Sequence, residues 1–219
     1  MKLLSGIAVL AVITAGAAVP SYATTISTSG GSVTGGTIGA AASLGSFATV
    51  ATTGSTGYIF GGTSGTTDTG TYDESVGNWS GDTSGLTYII TVKATTGDVE
   101  NINLGSFSAA STLFIFQTAN GGTISATNFN FDANTGGVEF NFPPNDVVGG
   151  DQSYTLIVGT DDPTYTAGFV GLIDSGSSPT LAGFQPGVAA ATPEPSTLSL
   201  LGTGLLAVGA GLRRRMLRK

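Results

Sequence analysis

The side chains behind most enzyme chemistry are missing from this 219-residue sequence, which has no histidine and no cysteine. Imidazole-activated nucleophiles, thiolate catalysis and thiolate metal ligation are therefore excluded. Carboxylates, hydroxyls and Lys93 remain. Asp73 with Glu74, Asp161 with Asp162, and Glu139 are available for glycoside hydrolysis, which needs two carboxyl groups held about 5 to 10 Å apart. Adjacent residues on a strand point to opposite faces, so a catalytic pair has to be assembled from different strands. The expectation is that the chain is not an enzyme.

The same composition suits a hard cation better. Asp68, Asp73, Glu74 and Asp82 share one Gly- and Thr-rich stretch, and Asp146, Asp151, Asp161 and Asp162 flank later segments. Oxygen ligands in loops are what Ca²⁺ takes, although no EF-hand spacing is present. The alternative is solvated acidic turns that keep an exported domain soluble. No other cofactor is implied. Trp79, in Gly77-Asn78-Trp79-Ser80 with Tyr72 nearby, carries a ring that would stack on a sugar if exposed and pack in the interior if not.

Strands must position these groups. Leu86, Tyr88, Ile90 and Val92 alternate with Thr87, Thr91 and Lys93, a period of two that turns one face inward. Ile89 breaks the pattern, and Leu113-Phe114-Ile115-Phe116 is apolar without interruption, so both faces are expected to be covered there. Thr95-Thr96-Gly97-Asp98 reads as a turn into a strand around Val99 to Leu104. Phe129 and Phe131, then Val138, Phe140 and Phe142, flank the turn Asn134-Thr135-Gly136-Gly137 and predict a hairpin with its rings packed across the strands. Pro143-Pro144 ends it. Further strands are expected at Tyr154 to Val158, Phe169 to Ile173 and Leu181 to Phe184. From Thr24 to Gly70 the chain is mostly Ser, Thr, Gly and Ala, and strands are expected only near Phe47 to Val50 and Tyr58 to Phe60, the rest being small-residue strand or linker. The sum is an all-β, antiparallel β-sandwich of about eight to ten strands, jelly-roll-like. A β-helix is the alternative, without a fixed repeat to support it.

Both ends of the chain differ from this middle. Lys2, an apolar run from Leu3 to Val19, and Ser21-Tyr22-Ala23 after Pro20 read as a secretory signal peptide cleaved after Ala23. From Thr24 to Thr192 there are thirteen carboxylates and one cation, Lys93, a net charge of −12. Nucleic acid is therefore not an expected partner, because binding it requires cationic side chains. Residues 24–192 would form one domain. At the far end, Pro193-Glu194-Pro195 precedes an apolar run from Ser196 to Leu212, and five of the chain's seven Lys and Arg follow it. As a helix that run would reach about 25 Å against a hydrocarbon core of about 30 Å, a gap that snorkelling arginines can close. The positive-inside rule puts the arginines in the cytoplasm. Pro193 and Pro195 keep their peptide extended, as a protease groove requires.

These residues, in this order, resemble the PEP-CTERM sorting signal of Gram-negative bacteria. The resemblance covers Pro193 to about Lys219. It implies that exosortase, an integral membrane cysteine protease, recognises Pro193, Glu194 and Pro195 and removes the tail during export, with Arg213, Arg214 and Arg215 as the stop-transfer cluster. It further implies an inner-membrane-tethered precursor and a mature protein at the cell surface or in an exopolysaccharide matrix, where extracellular polysaccharide would be the partner.

Overall fold

Phe129 and Phe131, with Asn130 between them, face Phe140 and Val138 across an antiparallel pair. All four are buried. Each buried ring contributes about 1.5–3 kcal/mol, so a one-residue slip that turned both phenylalanines of a strand outward is strongly disfavoured. The turn closes through Gly136 at φ 73°, a conformation that favours glycine. This is the hairpin predicted from the sequence.

The computed structural model describes residues 23–61, 67–174 and 178–187. In chain order the strands are β1 (Thr24–Ser27), β2 (Val33–Gly36), β3 (Gly39–Ala41), β4 (Phe47–Thr52) and β5 (Thr56–Gly61). The long β6 (Thr67–Trp79) and β7 (Asp82–Thr96) follow, then β8 (Asp98–Val99), β9 (Asn101–Ser106) and β10 (Thr112–Thr118). The hairpin of β11 (Asn128–Phe131) and β12 (Gly137–Asn141) leads to β13 (Val147–Val148), β14 (Thr155–Thr160), β15 (Tyr165–Ile173) and β16 (Thr180–Pro186). The helical content among the described residues is one 3₁₀ turn, Thr28–Gly30.

Eight strands form the larger sheet, in the order β1-β10-β14-β7-β6-β4 with β3 beside β10 and β5 beside β6. Six form the smaller, β16-β15-β9-β12-β11-β2, while β13 pairs with β8 separately. The strand pairs are antiparallel except that β3 runs parallel to β10. Tyr88, Ile90 and Leu113 of the larger sheet share one core with Ile102, Phe140 and Leu172 of the smaller. The architecture is a β-sandwich. The outer face of the larger sheet carries a second cluster, in which Trp79, Phe116 and Ile157 are covered by Leu44, Phe47 and Ala41. Leu113 and Ile115 thus face one cluster and Phe116 the other, as the unbroken apolar run predicts.

Two expectations need correction. The described residues hold sixteen strands rather than eight to ten, more than the eight of a jelly roll. The Ser/Thr/Gly/Ala-rich start contributes five of them, because small side chains leave little alternation to read yet hinder no backbone pairing. Of these, β4 and β5 stand where strands are expected and β1 to β3 do not; later in the chain the short β13 and the long β6, thirteen residues between β7 and β4, are also unexpected. The inward positions of β6 include Asp68, Gly70 and Glu74, so the hydrophobic period is hidden; Asp68 and Glu74, expected in acidic turns, are buried on this strand.

Glu74 reaches across the sandwich. Its Oε2 accepts a 2.9 Å hydrogen bond from the Phe184 N–H, and Tyr72 Oη donates a 2.7 Å bond to the Ala182 carbonyl, so two β6 side chains hold β16 of the other sheet. The Oε1 atom is buried without a hydrogen-bond partner. Burial pushes the Glu74 carboxyl up to about 8, against the pull of the Phe184 amide. The unfolded chain releases this proton near pH 4.5 and the folded chain holds it to about pH 8, so its stabilising contribution is complete below 4.5 and lost as pH rises through 8. Urea unfolding of Glu74→Gln from pH 5 to 9 should therefore show a flatter stability profile than the parent and higher stability at pH 9. Parallel profiles would contradict the buried protonated carboxyl.

Candidate functional site

The predicted sorting residues Pro193, Glu194 and Pro195, the apolar run Ser196 to Leu212 and the cluster Arg213, Arg214 and Arg215 lie outside the described residues, as does the signal peptide up to Tyr22. Among the described residues no helix is long and apolar enough to cross a membrane.

Trp79 ends β6 and is buried, 5% exposed. Its ring centroid lies 5.0 Å from that of Phe116, and its indole N–H donates to the Leu44 carbonyl. Tyr72 is 2% exposed. The stacking surface for a sugar that an exposed ring would have supplied is therefore taken up by packing.

The carboxylates proposed as hydrolytic pairs are committed to local structure. Glu74 points into the core, while the adjacent Asp73 accepts from Thr52 and Ser75 hydroxyls on the other face. Asp161 accepts from the Ser111 N–H and Oγ and from the Thr112 N–H, which fixes the start of β10. Burial raises the Asp161 carboxyl, but the Ser111 and Thr112 donors outweigh it and hold the group below the usual range. Asp162 accepts from the Thr164 N–H and hydroxyl, Asp151 from the Thr123 hydroxyl, and Glu139 from the Asn130 amide.

A different set converges. Asp68 is the second residue of β6, Asp98 opens β8, and Asp174 immediately follows β15, so three sheets or their ends contribute one residue each. One carboxylate oxygen from each lies within 4.8 Å of the other two. Asp68 is fully buried and Asp174 is 3% exposed. Neither oxygen of Asp68 has a hydrogen-bond partner. Gly97 covers it: a Cβ at that position would lie 1.7 Å from Asp68 Oδ1, and φ there is 72°. Only glycine permits the turn to close over the carboxylate.

Burial, followed by the charge of Asp174, raises the Asp68 carboxyl; the Asp98 backbone amide opposes this, while the Asp98 charge and the adjoining Asp174 side chain add to it. Asp98 is raised by burial, then by Asp174 and Glu100. Asp146 is raised by burial, then by Glu100, Asp98 and Asp174, and its Oδ1 is buried without a hydrogen-bond partner. Along the chain Asp68 and Asp146 fall in separate acidic groups, and Asp98, Glu100 and Asp174 stand in neither. Only the shortage of cations hinted at a concentration of unbalanced charge.

Because Trp79 is the only tryptophan, its emission reports its own surroundings. A blue-shifted maximum, slow acrylamide quenching and no change on adding polysaccharide are expected. Trp79→Ala should cost about 3–5 kcal/mol in urea unfolding. An emission maximum typical of indole in water would contradict the packing.

No curated protein and no solved structure matches this chain. Residues 191–215 match the family model described as the PEP-CTERM protein-sorting motif, a span that takes in Pro193, Glu194, Pro195 and the three arginines. The chain carries, on the C-terminal side of its β-sandwich, the PEP-CTERM signal that exosortase, a membrane protease, recognises in exported proteins.

Proposed function

We propose that this is a non-enzymatic structural protein of the Gram-negative cell surface or exopolysaccharide matrix. The match of residues 191–215 to the sorting motif carries the reading. Residues 1–23 direct export, and the apolar run Ser196–Leu212 holds the precursor in the inner membrane with Arg213, Arg214 and Arg215 on the cytoplasmic side. Pro193 and Pro195 present Glu194 in an extended peptide that exosortase binds and processes. The β-sandwich is then released or attached outside. A net charge of −12 between Thr24 and Thr192 suits a hydrated, cation-rich matrix and disfavours polyanionic partners. The commitment of Asp73, Asp161, Asp162 and Glu139 to hydrogen bonds within and between strands and turns supports a structural role over hydrolysis.

Intact mass of the protein from its own cells, beside that from cells lacking the processing protease, tests the reading. Loss of residues 1–23 in both, and of a tail beginning near Pro195 only where the protease is present, is expected. Glu194→Ala should keep signal-peptide removal and slow tail removal. A tail lost at the parental rate from that variant would overturn the role given to Glu194, and a tail retained in every strain would overturn processing.

A further inference from the structure

We propose that Asp68, Asp98 and Asp174, with Asp146 and Glu100 beside them, form a calcium site that fastens the ends of the three sheets to one another. The spacing fits. Ligands on one Ca²⁺ sit at about 2.3–2.6 Å, so two oxygens of the same shell are at most about 5 Å apart. Oxygens of Asp68, Asp98 and Asp174 lie within 4.8 Å of one another. Mg²⁺, at about 2.0–2.1 Å, draws its ligands within about 4.2 Å and demands octahedral geometry. The donors are hard oxygens throughout, and the sequence has no histidine or cysteine to recruit a softer metal.

A cluster of acidic residues alone would say little, and the state of Asp68 adds the second observation. It is fully buried, has no hydrogen-bond partner on either oxygen, and is capped by the Gly97 turn whose next residue is Asp98. A carboxyl removed from water either keeps its proton, as Glu74 does, or is met by a cation or donors that offset the lost hydration. Lys93 is the only Lys or Arg between Thr24 and Thr192. It pairs in register with Thr71, and its exposed side chain lies on the β6–β7 face opposite Asp68. The charges acting on Asp68, Asp98 and Asp146 are carboxylates. A divalent cation supplies what the chain does not.

The three ligands come from β6 of the larger sheet, β8 of the two-stranded sheet and the residue after β15 of the smaller. No unfolded chain holds positions 68, 98 and 174 together, so the ion binds the folded state alone and stabilises it by mass action. The inference stands on the β-sandwich and does not involve the sorting tail.

The test uses the full chain in detergent, stripped with EDTA and desalted, then titrated with CaCl₂ or MgCl₂ by calorimetry and by thermal unfolding followed through Trp79. One Ca²⁺ per chain and a rise in Tm of about 5 °C at 2 mM are expected, with a smaller response to Mg²⁺. Asp98→Asn, at the partly exposed position, should weaken Ca²⁺ at least tenfold and yet unfold in EDTA no lower than the parent, because it relieves repulsion. Asp151→Asn should keep the response. No heat and no Tm change at 10 mM Ca²⁺ would refute the site, as would a full response in Asp98→Asn or an equal response to Mg²⁺.

Discussion

Strand β6 turns Asp68, Tyr72 and Glu74 toward the interior, while Lys93, the one cation between Thr24 and Thr192, lies on the other face of the same sheet. Charge buried on this scale has to be met within the fold, and the two carboxylates meet it differently. Glu74 keeps a proton and uses its remaining acceptor to hold β16. Asp68 lies among other carboxylates under a glycine turn. The pairing of β6 with β7, β4 and β5 rests on a strand whose inner face is only partly apolar, so the aromatic packing around it carries the cohesion.

Apolar alternation made the later strands legible. The β11–β12 hairpin, β14, and the two-sided burial of Leu113 to Phe116 follow from side-chain period and turn residues. The same logic failed on β6, because a strand with acids and glycine at inward positions has no hydrophobic signature, and on the small-residue strands β1 to β3. The sorting motif was legible for a different reason, being linear and read by local sequence. The acidic cluster was not, since its members are some 30 and 76 positions apart along the chain and meet only through sheet topology.

The tail and the sandwich answer separate physical demands. The tail is a linear motif, residues 191–215, recognised by its local sequence. The sandwich, without any disulfide, depends on burial and on a continuous hydrogen-bond ladder. Nothing in the motif constrains what the β-domain contacts, so the two are open to independent variation.

The pairing pattern also sets a timetable. Thr24 faces Ile115 and Gly36 faces Phe129, so the strands synthesised first find their partners only after some ninety residues more have followed. Contacts that distant form slowly. During that wait a greasy leading segment would seek other chains, whereas one built from Ser, Thr, Gly and Ala stays solvated and uncommitted. The plain composition of the first strands is thus suited to waiting, and the price is the weak sequence signal by which they escape notice.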